Sequence, residues 1–266
     1  KASYEFLFFG KDDNSFLENY YYDLFQDYGE KSGQFFINLE VQNNPVDAEE
    51  IGKMMFEAMQ KAFFEDVNRD PYERFEVALK EVNRVLTEFK KQKFSGYIGN
   101  LNVIIAAIVG NILYLTQSGD AEAYLIRKKY VSVVSEGLAD DESSSGEVFS
   151  SIASGNIEPG DFVLVSSTRL LRYVSKNDLA KGVKKDVVQS LDAFRDMVST
   201  EILGRVGFTG IYFETAVQED VNSIERGTDS ATESILEATG SEVVSKRESL
   251  TGNFFTSLKK YKRGRS

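Results

Sequence analysis

One stretch, residues 99–135, constrains the fold of this chain more than any other. It contains a long apolar run, Val103–Val109, and then three short pairs that separate further apolar segments, namely Gly110-Asn111, Gly119-Asp120 and Lys128-Lys129. Glycine, asparagine and aspartate tolerate the positive φ that tight hairpins require. The stretch therefore predicts a meander of four antiparallel strands joined by very short turns.

Five other segments have strand character. They are rich in aromatic or β-branched residues and are bounded by glycine, proline or polar residues, as strands usually are. These segments are Tyr4–Phe9, Phe16–Phe25, Phe35–Val41, Phe162–Ser167 and Val206–Val217. In contrast, the acidic and Ser-rich residues 135–154 predict a surface loop.

Four helices are predicted from start signals and apolar periodicity. Asp47 and Glu50 form a candidate capping box, and Asp70 with Pro71 and Glu73 forms a second helix start. Apolar residues recur at helical spacing after each of them, which predicts two amphipathic helices packed on a sheet. Two later helices are predicted over residues 176–180, after Ser175, and 186–203.

The order of these elements favours an α+β domain over residues 1–217, in which helices cover the faces of antiparallel sheets. A second region, residues 218–266, begins with a polar acidic part that is typical of a linker or a frayed helix. It ends in a basic tail that is either a solvated segment or a segment near an anionic membrane surface. The tail contains Lys259, Lys260, Lys262, Arg263 and Arg265.

The composition excludes several classes of protein. The 266 residues carry a net charge of −11, so a nucleic-acid-binding surface over the whole body is not expected. Because the chain has no cysteine and no histidine, disulfides, thiolate or imidazole metal sites and Ser-His-Asp catalysis are excluded. No apolar run approaches the ~20 residues of a membrane span. We expect a cytoplasmic protein, with tethering to a membrane through the basic tail as an alternative.

Three stretches together resemble the metal-dependent protein phosphatases of type 2C. Gly99-Asn100-Leu101-Asn102 resembles the family's Gly-Thr-Thr strand start. Residues 117–127 are similar to its Val-Gly-Asp-Ser-Arg-Ala-Tyr-Leu motif. Residues 157–170 resemble its Leu-x-Pro-Gly-Asp segment, with the apolar run and Ser-Asp-Gly-Leu that follow it. The order and spacing of these stretches extend the resemblance over residues 1–217.

The resemblance implies both a fold and a chemistry. The family fold is a four-layer α/β/β/α sandwich, in which two antiparallel sheets are flanked by helix pairs, and we expect it here. Members of the family hydrolyse phosphoserine and phosphothreonine with two hard divalent cations, manganese or magnesium. Such cations need oxygen ligands, chiefly aspartate carboxylates.

The first two metal positions of the family are altered in this chain. The family's Arg-x-x-Asn-x-Asp pattern matches residues 11–16, so Lys11 becomes a possible phosphate contact and Phe16 stands at the Asp position. The family's Asp-Gly site falls on Leu39-Glu40. A shift of one residue in this register would place the carboxylate of Glu40 at the metal position instead.

The later positions are altered as well, apart from Asp120. The Ser-Asp-Gly site falls on residues 167–169, which brings Thr168 and Arg169 to the metal pocket, and the closing Asp-Asn falls on Val206 and the glycine after it. The resemblance thus implies a degenerate site with no catalytic residue and no metal, since one or two carboxylates cannot hold two cations. Arg169 is interpreted as a replacement for a cation's charge, a partner of an acidic residue or a phosphate ligand, or else as a solvent-exposed side chain.

We therefore expect a pseudophosphatase that acts as a regulatory or binding module in phospho-signalling, with no cofactor and with a protein partner of unknown identity. The alternative is a divergent metal-dependent serine/threonine phosphatase that holds manganese or magnesium in a reduced site. That site would use Glu40 and Asp120 with Asp161 or Asp178. A further interpretation is an α+β interaction module outside the family.

Overall fold

The computed structural model describes residues 2–139 and 146–214, together with the backbone of residues 257–260. Within these residues the chain forms five α-helices: α1 (Phe25–Tyr28), α2 (Ala48–Phe63), α3 (Pro71–Gln92), α4 (Lys176–Gly182) and α5 (Val187–Val198). Two short 3-10 helices span Gly29–Ser32 and Leu170–Arg172. The same residues form eleven strands: β1 (Ala2–Phe9), β2 (Ser15–Asp23), β3 (Gln34–Gln42), β4 (Asn100–Val109), β5 (Ile112–Ser118), β6 (Glu122–Arg127), β7 (Tyr130–Val133), β8 (Ser151–Asn156), β9 (Phe162–Ser166), β10 (Val206–Phe213) and β11 (Ser257–Lys260).

The strands form two antiparallel sheets that pack face to face. The first sheet has the strand order β1-β10-β9-β6-β7, and the second has the order β11-β8-β5-β4-β3-β2. Helices α2 and α3 cover the outer face of the second sheet, and helices α4 and α5 cover that of the first. This arrangement confirms the predicted α+β fold of four layers.

The apolar core has one layer at each of the three interfaces between the structural layers. Residues on alternate positions of a strand face opposite sides of its sheet. In β3, for example, Phe35, Ile37 and Leu39 pack against α2 and α3, whereas Phe36 faces the other sheet. The layer under α4 and α5 includes Leu164 and Phe208. Both sheets are therefore buried on both faces.

The predicted four-stranded meander is wrong in one respect. The structure forms the hairpins β4–β5 and β6–β7, but β5 belongs to the second sheet and β6 to the first. The turn at Gly119-Asp120 thus carries the chain from one sheet to the other. Leu115 and Leu125 lie in the same core layer between the sheets, so the two hairpins bury their apolar faces against each other.

The prediction of a surface loop over residues 135–154 is also wrong at its end. Residues from Ser151 onward form β8, which pairs with β5 through Leu115 and Ala153. Small and polar residues dominate this strand, so its sequence carries little β-propensity. The rest of the predicted loop includes residues 140–145, which lie outside the described residues.

Three of the four predicted helices begin with a side-chain N-cap at the expected residue. Asp70, Ser175 and Asp186 each accept a hydrogen bond from a backbone N–H in the first turn of their helix, as N-caps do. Asp47 forms no such bond. Its carboxylate instead accepts a hydrogen bond of 2.7 Å from Lys93 Nζ, so the predicted capping box at α2 is wrong.

The second predicted region, residues 218–266, lies outside the described residues except for β11, which pairs with β8 at the edge of the second sheet. Among the helices that the structure describes, none is long and apolar enough to cross a membrane.

Candidate functional site

A cleft opens at one end of the sandwich, where β3 and β9 end and β4 and β10 begin. The turns β1–β2 and β5–β6 and the segment between α5 and β10 complete its walls. The cleft has a volume of about 280 Å³. Its lining residues are Asp12, Glu40, Gln42, Asn102, Asp120, Ser167, Thr168, Tyr173, Glu201, Ile202, Leu203, Gly204, Arg205 and Val206.

Glu40 is the deeply buried acid of this cleft, with only 3% of its surface exposed. It lies directly opposite Asn102 in the pairing of β3 with β4. Asn102 Nδ2 donates a hydrogen bond of 2.9 Å to Glu40 Oε1, and Asn102 Oδ1 accepts one of 2.9 Å from the backbone N–H of Asp120. One asparagine therefore joins the buried carboxylate to the turn that crosses between the sheets.

The environment of Glu40 favours its protonated form. Burial raises the pKa of this carboxyl from 4.5 to about 7, because the charged form loses its hydration. The Asn102 amide lowers this pKa and the nearby negative charge of Asp12 raises it. The Ser15 hydroxyl also lowers it, although no described group lies in hydrogen-bonding geometry with Ser15 Oγ. Glu40 thus changes its charge near neutral pH.

Asp120 lies at the cleft wall and is turned towards two arginines. Both guanidinium Nη atoms of Arg172 lie 3.4 Å from its carboxylate, and Arg169 Nε lies 3.6 Å from Asp120 Oδ1. Arg169 Nε is also 3.8 Å from Glu122. The structure therefore shows Arg169 as a partner of Asp120. Because the groups are about half exposed, these pairs contribute little to stability.

Two of the other predicted site residues lie at the cleft. Thr168 follows β9 and lines the cleft directly. Val206 lines it at the start of β10, but its side chain is fully buried in the core layer under α4 and α5. Neither residue offers a carboxylate to a ligand.

The structure does not bring Phe16, Leu39 or Lys11 to the cleft. The side chains of Phe16 and Leu39 pack against the layer of α2 and α3, because odd and even positions of a strand face opposite sides. Glu40, the next residue of β3, lines the cleft instead of Leu39. Lys11 is exposed in the turn between β1 and β2 and does not line the cleft.

Sequence reasoning missed several residues that line the cleft, among them Asp12, Glu201 and Arg205. Arg205 Nη1 donates to the backbone oxygen of Ser15 at 3.3 Å. These residues lie in turns and connecting segments, where no periodicity marks the inward side. The clearest signal in the sequence was Asn102, a polar residue at the start of an otherwise apolar strand.

Arg169 lines a second cavity behind Asp120 instead of the cleft. This cavity has a volume of about 400 Å³ and is also lined by Gln117, Glu122, Ser135, Glu136 and Arg172. Arg169 and Arg172, which line this cavity, are the ion-pair partners of Asp120, which lines the cleft.

The two acids that the sequence offered as further metal ligands lie elsewhere. Asp161 is buried before β9, at the other end of that strand, and forms a two-point ion pair with Arg127. Asp178 lies on α4, where it accepts a hydrogen bond from Ser175. The structure therefore does not place Asp161 or Asp178 with Glu40.

The donor groups of the cleft do not fit a pair of manganese or magnesium ions. Such ions need several carboxylate oxygens that converge on shared positions. In the part of the chain that the structure describes, no three acidic side chains are placed to hold one metal ion. Glu40 is deeply buried with Asn102 as a hydrogen-bond partner, and Asp120 faces arginines.

Comparison with solved structures gives close matches to this arrangement of sheets and helices. The Mycobacterium tuberculosis serine/threonine phosphatase PstP/Ppp matches with a TM-score of 0.63 and 13% identity, over 80% of this chain and 99% of that chain. The fold is that of the type-2C protein phosphatases. PppA, described as a key regulatory component of the type VI secretion system in Pseudomonas aeruginosa, matches with a TM-score of 0.56 and 10% identity over 80% and 99% of the two chains.

The type-2C fold is therefore present at low sequence identity. The catalytic domain of PstP in complex with two manganese ions matches with a TM-score of 0.59 and 14% identity, over 80% of this chain and 99% of that chain. No profile of a known protein family and no curated protein sequence matches this chain. At this identity the likeness shows the fold alone.

Proposed function

We propose that this chain is a type-2C phosphatase-like domain that does not hydrolyse phosphoproteins and acts by binding a protein partner in phospho-signalling. The observation that carries the proposal is the state of the two acids at the cleft. Glu40 is buried and hydrogen-bonded to Asn102, and Asp120 is paired with Arg169 and Arg172. This arrangement supplies no cluster of charged oxygen ligands, whereas a similar fold is known in complex with two manganese ions.

A binding role is supported by the formed cleft and by the exposed apolar side chains at its rim. The cleft is retained as a formed cavity, and Asn102 holds its floor and its wall together. Exposed apolar side chains lie at its rim, since Leu203 is 95% exposed and Tyr173 is 37% exposed. Exposed apolar residues beside a cavity are typical of a surface that a partner covers.

The test is a phosphatase assay with manganese, using p-nitrophenyl phosphate and a phosphothreonine peptide, together with a calorimetric titration of manganese. We expect turnover equal to that of the Glu40→Gln variant and no heat of metal binding. Manganese-dependent turnover that is lost in both Glu40→Gln and Asp120→Ala would refute the proposal and establish the divergent phosphatase. A metal-dependent phosphatase of the same fold, assayed in parallel, serves as the positive control.

A further inference from the structure

One edge of the second sheet receives a strand from a distant part of the chain. β11 pairs antiparallel with the outer edge of β8, with Ser257 opposite Ser154 and Lys260 opposite Ser151. Residues 214–256 separate β11 from β10 in the sequence, so no short connection brings β11 to this edge. The edge of β8 thus holds an extended segment by backbone pairing, which is how strand-addition sites bind peptides.

β8 carries none of the features that usually protect a sheet edge. Charged side chains, proline and bulges prevent an edge strand from pairing with another chain. The sequence of β8, Ser-Ile-Ala-Ser-Gly-Asn, contains no charge and no proline. Its pairing with β5 runs from Ala153 to Asn156 without a bulge. The backbone groups on its outer edge are therefore accessible to any strand of suitable register when β11 is absent.

Contacts that do not involve β11 hold β8 in place. Asn83 on α3 fixes the chain just before it, since Asn83 Nδ2 donates to Phe149 O at 2.8 Å and Asn83 Oδ1 accepts from Phe149 N at 3.0 Å. Thr116 Oγ1 donates to the backbone oxygen of Ser151 at 2.7 Å. Just after β8, Ile157 N donates to a backbone oxygen of the β4–β5 turn at 2.8 Å. We therefore expect β8 to keep its conformation when β11 leaves, and a preformed edge lowers the entropic cost of binding.

We propose that the outer edge of β8 is a strand-binding site for the protein partner, whose extended segment replaces β11. The proposal rests on the proposed function, because it names the mode in which the partner binds. The register of β11 defines the segment, which has an apolar residue opposite Ala153, where Leu258 stands, and lacks proline. The site is distinct from the cleft, since none of the lining residues that the structure describes belongs to β8.

The test is fluorescence anisotropy with a labelled peptide that copies residues 253–262, added to the full chain and to its Leu258→Pro variant. Proline removes a backbone donor and disrupts a strand, so this variant cannot dock its own β11. If β11 fills the site about nine-tenths of the time in the natural chain, the variant should bind the peptide about tenfold more tightly. Leu236→Pro, which lies in the same C-terminal region but outside β11, is the matched control and should bind like the natural chain.

Further peptides separate backbone pairing from recognition of particular side chains. One keeps the leucine of position 258 and replaces the other residues by threonine and valine, and it should also bind to Leu258→Pro. Two others are N-methylated at alternate positions, either 257 and 259 or 258 and 260. One of these should bind and the other should not, because alternate residues of a strand direct their N–H groups to opposite sides.

Hydrogen exchange reports where the peptide binds. The amides of residues 151–154 should lose protection in Leu258→Pro and regain it when the peptide is added. The amide of Phe149, which donates to Asn83 Oδ1, should stay protected in every sample and so guards against a folding defect.

Several results would overturn the inference. These are absence of peptide binding to Leu258→Pro, equal binding by this variant and the natural chain, equal binding by the two N-methylated peptides, or binding by the chain's own sequence alone. A dimer of the natural chain that the peptide dissociates would overturn it as well, because the occupant would then be a second copy. Phosphatase turnover would refute the proposed function whatever the peptide does, whereas absence of turnover together with absence of peptide binding would refute only the strand-binding site.

Discussion

The side-chain amide of Asn102 donates a hydrogen bond of 2.9 Å to Glu40 Oε1, which ties two neighbouring strands of the second sheet together at the floor of the cleft. The oxygen of the same amide holds the backbone N–H of Asp120. The buried carboxylate and the crossing turn are therefore not independent. A substitution at Glu40, Asn102 or Asp120 should therefore change the conformation or hydrogen bonding of the other two.

Replacing Glu40 by glutamine should change how stability depends on pH. The folded pKa of about 7 exceeds the unfolded value of 4.5, so in that range the folded state keeps a proton that the unfolded state has released. The free energy of unfolding therefore falls as the pH rises from about 4.5 to about 7, by up to about 3 kcal/mol for this group. Below this range Glu40→Gln should match the natural chain, and above it the variant should be more stable.

Urea unfolding at a series of pH values measures this difference. Glu201→Gln, at the exposed rim of the same cleft, serves as the control and should give a curve parallel to that of the natural chain. If the curves of Glu40→Gln and the natural chain are parallel as well, Glu40 is not protonated on folding.

Two substitutions of Asn102 test two separate properties of this side chain. Asn102→Ala tests its hydrogen bonds, and Asn102→Asp tests the requirement that it be uncharged. Asn102→Ala removes a donor to Glu40 and an acceptor for Asp120, and should cost about 2 kcal/mol of unfolding free energy. Asn102→Asp places a second carboxylate beside Glu40, so it should cost more at pH 8 than at pH 5, where the two groups share a proton. Chemical unfolding at both pH values checks this.

The exposed Asn100 at the start of β4 provides the comparison, and Asn100→Ala should change stability by less than about 0.5 kcal/mol. A loss in Asn102→Asp that is equal at the two pH values would show that the new carboxylate does not interact with Glu40.

The sequence predicted four of the five α-helices, most strands and the layered fold because each has a local signal. The short helix α1 was missed, since Phe25 was assigned to the preceding strand. The stripe of α2 and the cap at Asp70 are examples. The sheet to which a strand belongs has no local signal, since it depends on which apolar faces meet. This is why β5 and β6 were placed in one meander, although Leu115 and Leu125 face each other across two sheets.

The register of the cleft did have a local signal in β3. The odd positions from Phe35 to Val41 are all apolar and pack under α2 and α3, whereas the even positions include Asn38 and Glu40. This alternation favours Glu40 over Leu39 as the residue that faces the cleft, but the match of the family's Asp-Gly site to Leu39-Glu40 pointed to Leu39. Residues in turns, such as Asp12 and Glu201, reach the cleft only through the tertiary fold and could not be found from a single sequence.

A buried polar network beneath the cleft should be sensitive to the loss of one hydroxyl. Thr209 Oγ1 donates to Asn19 Oδ1 at 2.8 Å and accepts from Asn38 Nδ2 at 3.2 Å, which links β10 to β2 and β3 across the two sheets. Thr209→Val keeps the shape but leaves both amides less satisfied, and should cost about 1 to 3 kcal/mol. Thr209→Ser keeps the hydroxyl and should retain the network. Denaturant unfolding of both variants measures these changes. If apolar burial matters more than the hydrogen-bond network, Thr209→Val will instead be more stable than the natural chain.

A side chain added at Gly119 should destabilise the turn that crosses between the two sheets. This residue has a φ of 67°, and an added Cβ would collide with Asn102 Oδ1 and the backbone oxygen of Leu101. Gly119→Ala should therefore cost about 2 to 3 kcal/mol, which combines the left-handed backbone with the displacement of Asn102. Gly110 in the β4–β5 turn is a close control, because its φ is 59° and no atom lies within 4 Å of its added Cβ.

Gly110→Ala should thus show the backbone cost alone, about 1 kcal/mol. The difference in unfolding free energy between the two variants measures how firmly the turn is held against Asn102. In Gly119→Ala the amide signals of Asn102 should also shift, whereas in Gly110→Ala they should not. Equal costs and unchanged amide signals would mean that the crossing turn and the Glu40 floor are not coupled through Asn102. The Glu40 side of the cleft and the Asp120 turn would then be structurally independent of each other.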